Sequence, residues 1–226
     1  MAWLVHAYTA LSAVLAFLAL RAAAGHDTRT AFLWLAVAVI VDATDGWLAR
    51  VARVKERLPH FDGARLDDIV DYLTFVFVPL FLLDHEGLLP RSSGWMVASV
   101  ALLASGYGFA RDDAKTADHY FTGFPSYWNI VALYMVALGT RPLINAAVVL
   151  MFAVLIFVRI RYVYPSRTRT LRSFTLVFGA IWGLTIMAVI WLLPQPPLGL
   201  VYASLAFPLY YLALSLYLHA RSAMQS

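Results

Sequence analysis

Long apolar runs separated by short polar breaks organise the whole chain. Eight runs, roughly 2–24, 31–48, 67–84, 93–110, 125–140, 142–162, 172–193 and 198–218, are each compatible with one bilayer crossing by a helix of about 20 residues. The fifth is the shortest. The runs are continuously apolar and do not alternate with period two, which predicts helices and argues against a membrane β-barrel. The first run ends in Ala22-Ala23-Ala24-Gly25, which imitates a signal-peptidase site. Nothing basic precedes its apolar stretch, however, and that stretch is longer than a typical signal, so we expect a retained helix. With no repeat, low-complexity stretch or linker in evidence, the expectation is a single integral membrane domain over 1–226.

Composition agrees. The chain has 226 residues, of which 62% are hydrophobic and only 13% charged, whereas a soluble domain is about half apolar and a quarter charged. The expected class is an all-α polytopic membrane protein of about eight transmembrane helices. Basic residues give it an orientation. The loop after the second run holds Arg50, Arg53, Lys55, Arg57 and Arg65, and the loop after the fourth Arg111 and Lys115. The loop after the sixth holds Arg159, Arg161, Arg167, Arg169 and Arg172, and the tail Arg221. These are 13 of the 17 Lys and Arg, and the opposite loops hold only Arg21, Arg29, Arg91 and Arg141. The positive-inside bias therefore places both termini and the basic loops in the cytoplasm. The net charge of +4 reads as contact with anionic headgroups and calls for no nucleic acid.

The absence of cysteine excludes disulfides, thiolate metal sites and cysteine nucleophiles, leaving carboxylates and imidazoles to hold any metal. Acids at the ends of spans are costly enough to need an explanation one by one. Asp42 and Asp45 close the second helix three residues apart, and Asp67 and Asp71 open the third four apart. Both spacings put a pair on one helix face, and by the charge count both helix ends lie at the cytoplasmic level. Four carboxylates can thus converge on a site small enough for metal ions. Oxygen-only ligands suit Mg²⁺ or Mn²⁺, and two such ions would clamp a diphosphate and polarise its phosphorus. Gly46 and Ala49 permit close approach of a ligand or a neighbouring helix, and Arg50 offers a fixed positive charge to a phosphate. Asp62 and Asp68 read as ordinary solvated acids. His60 and His119, each without an i,i+4 partner histidine, read as interfacial hydrogen-bonding residues.

The segments D-A-T-D-G-W-L-A-R, 42–50, and G-A-R-L-D-D-I-V-D, 63–71, resemble the signature of the CDP-alcohol phosphotransferase family, D-x2-D-G-x2-A-R followed after a spacer by G-x3-D-x3-D. All eight fixed positions are matched. The spacer is 12 residues where most of the family has about eight or nine. That spacer, with V-K-E-R-L-P at 54–59, D-Y-L-T-F-V-F-V-P at 71–79 and D-A-K-T-A-D-H-Y-F-T-G-F-P-S-Y-W-N-I at 113–130, is similar to the bacterial phosphatidylcholine synthase branch. The resemblance implies a six-helix core, to which this chain adds two helices, often dimeric, in the bacterial inner membrane with the site facing the cytoplasm. It implies two divalent ions held by Asp42, Asp45, Asp67 and Asp71, with Asp71 also the general base. It sets Gly46, Ala49 and Arg50 along the CDP moiety, with Gly63 letting the third helix approach. Thr9 is the candidate nucleotide contact on the first helix, and bonding to its own backbone is the equal alternative.

The reaction so implied is transfer of a phosphatidyl group from CDP-diacylglycerol to choline, releasing CMP. A quaternary ammonium is held by aromatic faces, and Tyr107, Tyr120, Tyr127 and Trp128 in the segment 107–130 are the candidates. Their other reading is an interfacial aromatic belt. Glycerol 3-phosphate, an inositol phosphate or serine as acceptor remains open, the phosphorylated ones requiring an extra basic cluster beside the aspartates. A divalent-cation transporter is the rival from another class, but transport calls for acids along a path through the bilayer, and here they gather on one side.

Overall fold

In a computed structural model, which describes residues 1–113, 120–164, 168 and 170–223, the apolar runs form helices. Helices α1 (Ala2–Ala24) and α2 (Thr28–Val51) are joined by a tight turn in which His26 takes a left-handed conformation and the Asp27 side chain caps α2 by accepting from the Thr30 amide at 3.0 Å. Small residues on their facing sides, Ala16, Ala19 and Ala23 on α1 and Ala31 and Ala38 on α2, are all buried and let the two helices lie close together. A short helix α3 (Val54–Arg57) carries the chain around the basic loop. Then α4 (Gly63–Asp71), capped by Asp62 accepting from the Arg65 amide at 3.1 Å, runs without interruption through a π-helical stretch (Tyr72–Phe77) into α5 (Val78–His85). The wider turn begins immediately after Asp71, and π stretches inside helices frequently mark functional sites.

Helix α6 (Gly94–Ala110) packs on α8 (Pro142–Phe157), while α7 (Trp128–Leu138), ended by a left-handed Gly139, packs on α5. Helix α9 (Arg172–Trp191) lies against α2, an arrangement fastened by the Arg29 guanidinium donating to the Leu193 carbonyl. Two further helices, α10 (Leu198–Ser204) and α11 (Ala206–Ala223), complete the described chain.

Among the described residues, four helical stretches are long and apolar enough to cross a membrane, namely Ala2–Ala24, Thr28–Val51, Arg172–Trp191 and Leu198–Ser222, and three shorter apolar helices accompany them. The protein is mostly helical, and these helices are compatible with a polytopic membrane protein. Two expectations are corrected. The fold is not wholly α: strands β1 (Tyr120–Thr122) and β2 (Arg161–Val163) pair antiparallel, Tyr120 opposite Val163 and Thr122 opposite Arg161. The sixth run, expected to be helical to 162, stops being helical at Phe157 because its last residues turn outward to make this sheet. Gly123, at φ +84°, closes the sheet against α8 so tightly that a Cβ there would collide with the Ile156 carbonyl oxygen.

Candidate active site

The signature acids sit where α2 ends and α4 begins. One carboxylate oxygen from each of Asp42, Asp67 and Asp71 lies within 4.8 Å of the others, and all three residues are half-buried. Three hard oxygen donors at this separation fit a divalent cation of the Mg²⁺ or Mn²⁺ type. Asp45 does not join that group. It is buried, and its Oδ2 accepts a 2.7 Å hydrogen bond from the Thr9 hydroxyl, also buried. A second link between the same helices runs one residue away, Tyr8 Oη to Thr44 Oγ1 at 2.8 Å. Thr9 therefore bonds neither its own backbone nor open space; it holds the second signature aspartate.

Gly46 and Arg50 are exposed and Ala49 half-buried on the last turns of α2, and the Arg50 guanidinium folds back so that a Cβ on Gly46 would lie 3.6 Å from its Nη1. Gly63 opens α4 against the ring of His6, and a Cβ there would come to 2.5 Å from His6 Cε1. That ring is itself pressed against Phe61 at a centroid distance of 4.3 Å and is buried. His6, missed in the sequence, is thus part of the wall on which α4 is laid. Its signal was available only as a polar residue one turn before Thr9 on the same helix face. His60 is exposed in the loop, and His119 lies outside the described residues.

The four aromatic candidates for the acceptor are not brought together. Tyr107 is exposed, stacked on Phe157 at 4.9 Å and 5.8 Å from the Arg111 guanidinium. Tyr120 has its face covered by the Arg161 guanidinium at 4.3 Å. Trp128 is fully buried, with its indole N–H donating to Ser105 Oγ at 2.7 Å and its ring edge against Phe124. Arg111 also binds Asp113 at 2.7 Å, and this exposed pair holds the Asp113 carboxyl below the usual carboxylate range.

Tyr127 behaves differently. It lines a cavity of about 490 Å³ that Asp42 also lines, and among the described residues Asp42 is that cavity's one charged group. From there the cavity continues along α7 and α8 past Phe152 and Val148 to Asn145 and Thr140, bounded on the other side by Trp182, Phe207 and Leu212. Tyr162 and Tyr211 line it as well. Neither was singled out in the sequence, because Tyr162 fell at the end of an apolar run and Tyr211 inside one, where an aromatic reads as membrane belt.

No family model matches the chain. Curated relatives do. The chain is 40% identical over 223 residues to the phosphatidylcholine synthase of Legionella pneumophila, covering 96% of this chain and 88% of that one. It is 38% identical over 211 residues to the phosphatidylcholine synthase of Pseudomonas aeruginosa, covering 91% and 88%. A third, from Rhizobium meliloti, is 33% identical over 209 residues, covering 92% and 87%. Identity of this level over nearly the full length of both chains, on a helical scaffold that gathers three of the four signature aspartates, shows that the chain belongs to the phosphatidylcholine synthase family.

Proposed function

We propose that this protein transfers the phosphatidyl group of CDP-diacylglycerol to choline, producing phosphatidylcholine and CMP. The observation that carries the reading is the juxtaposition of the Asp42, Asp67 and Asp71 carboxylates with the apolar cavity that Asp42 lines. A charged diphosphate and a hydrocarbon chain on one molecule call for a carboxylate-rich ion site opening directly onto apolar surface. Asp42, Asp67 and Asp71 would hold divalent ions, two Mg²⁺ or Mn²⁺, with Asp45 kept by its hydrogen bond to Thr9. When bound, such ions neutralise the diphosphate and make its phosphorus electrophilic.

The remaining work falls to the chain's own groups. Gly46 and Ala49 leave room for the cytidine diphosphate along the end of α2, and Arg50 faces its negative charge. An acyl chain lies in the apolar stretch between α7 and α8 on one side and α9 to α11 on the other. Asp71 takes the proton of the choline hydroxyl. The choline oxygen then forms its bond to the phosphorus that carries diacylglycerol, and the bond from that phosphorus to the CMP oxygen breaks. Positioning and charge stabilisation supply most of the rate, as in phosphoryl transfer generally.

The same reading places the protein in the cytoplasmic membrane of a bacterium with eight crossings, both termini and the aspartates on the cytoplasmic side, which the loop charges support. A homodimer is inferred from the family resemblance. The decisive experiment uses purified protein, CDP-diacylglycerol, Mn²⁺ or Mg²⁺, and choline, serine, glycerol 3-phosphate and inositol in turn, with CMP release as the readout. Release with choline alone is the expected result. Release with another acceptor would reassign the substrate, and none with any acceptor would overturn the transferase reading.

A further inference from the structure

We infer that the acceptor's quaternary ammonium is held by Tyr127, Tyr162 and Tyr211, so that β2 and the C-terminal helix α11 complete the choline pocket. This rests on the transferase reading and specifies it. The three phenols come from three elements far apart in sequence, yet all line the cavity that Asp42 lines. Tyr211 meets Tyr127 at a ring-centroid distance of 6.5 Å and an interplanar angle of 62°, and lies nearly parallel to Tyr162 at 6.4 Å and 19°. Phe75, in the π stretch that begins after Asp71, approaches Tyr127 from the aspartate side at 6.2 Å and lines the same space.

The group is built, not incidental. Both backbone polar atoms of Val163 are fixed by α11: its amide donates to Ser215 Oγ at 3.1 Å, and its carbonyl accepts from the Tyr211 hydroxyl at 3.1 Å. Ser215 is fully buried. The strand carrying Tyr162 is thus bolted to the helix carrying Tyr211, which presets the two rings before any ligand arrives. Arginine guanidinia already stand over Tyr107 and Tyr120. Among the described residues no such contact falls on Tyr127, Tyr162 or Tyr211.

The chemistry of the acceptor selects this place. A trimethylammonium has no N–H to donate, so recognition falls to ring faces, here those of the three tyrosines. Its nitrogen is only two carbons from the attacking oxygen, so the ammonium site must adjoin the aspartate that takes the hydroxyl proton. The three tyrosines lie on the cavity that Asp42 lines, and an Asp42 carboxylate oxygen is within 4.8 Å of one of Asp71, whereas Trp128 is enclosed in the core.

The test measures choline and CDP-diacylglycerol KM separately in the full-length purified protein. Tyr162→Leu and Tyr211→Leu are expected to raise the choline KM about tenfold or more, with less than about a threefold change in the KM for CDP-diacylglycerol, as loss of a desolvated cation–π contact predicts. Phenylalanine at 162 should restore most of the choline affinity; at 211 it keeps the ring but loses the hydroxyl bond to Val163, so its rescue should be partial. A second readout is competition by 3,3-dimethylbutan-1-ol, the uncharged shape analogue of choline: the wild type should prefer choline strongly, and the leucine variants should lose much of that preference. Where leucine prevents folding, fluorinated phenylalanines at 162 put the same question, since they weaken the ring face while keeping its shape. Equal effects on both substrates, or an unchanged preference over the neutral analogue, would overturn the pocket while wild-type turnover with choline left the transferase reading standing. Absence of wild-type turnover would instead strike the transferase reading itself.

Discussion

Thr9 and Asp45 are 36 residues apart in sequence, and the 2.7 Å hydrogen bond between them is buried at both ends. A hydroxyl donating to a carboxylate fixes which oxygen would be left to face a bound cation, and such outer partners are commonly worth about 10- to 100-fold in metal affinity or activity. Thr9→Val is therefore expected to lower CMP release by about that factor and to raise the Mn²⁺ concentration needed for half-activity, with Thr9→Ser close to wild type; a valine variant retaining most of its activity would remove Thr9 from the site. Asp71→Asn keeps shape and removes the proposed proton acceptor. Its expected loss is on the order of 10³-fold in kcat in folded protein, in the range of general-base contributions, and near-normal turnover would assign the base elsewhere. The spacing of the four acids was legible in the sequence because helical geometry alone brings positions three and four apart together. That Asp45 would turn to Thr9 while Asp42, Asp67 and Asp71 cluster was not, since it depends on how α1 rotates against α2.

Helix α4 owes its position to a missing side chain. A methyl group at position 63 would come to 2.5 Å from His6 Cε1, and the His6 ring is boxed in by Phe61, so Gly63→Ala forces either the ring or the start of α4 to move. Overpacking of this kind costs about 1–3 kcal/mol, and because Asp67 sits one turn further along α4, activity should fall with stability. In a His6→Ala background the same substitution should cost much less, and a thermal-unfolding double-mutant cycle measures the difference; additive losses would mean that the two residues do not press on one another. The existence of the helices was readable from hydropathy, and the glycine from its motif. The β1–β2 sheet was not readable, since three-residue strands 41 positions apart carry no periodic signal, and the pairing of Phe121 with Tyr162 is set by the loops meeting in space. Tyr162 and Tyr211 escaped notice for the same reason: their neighbourhood is created by the tie between α11 and Val163.

For the molecule as a whole, the arginines and lysines assign a direction that the aspartates need, because CDP-diacylglycerol and choline must reach one face. If Arg50 to Arg65, Arg159 to Arg172 and Arg221 are cytoplasmic, then Arg91 and Arg141, exposed at the opposite ends of the helices, face outward. The chain contains no cysteine, so a single introduced thiol reports its location against no background. Lys55→Cys and Arg221→Cys should react with a membrane-impermeant maleimide only in inverted vesicles, and Arg91→Cys and Arg141→Cys only in intact spheroplasts. All four residues are exposed, so a failure to label reflects the membrane and not burial. Lys55 and Arg221 labelling from opposite sides would require an odd number of crossings between them. Labelling of all four with the sides exchanged would put the aspartates outside and overturn the cytoplasmic site, whereas the expected pattern leaves the aspartates, the CDP headgroup and choline on one side of the bilayer.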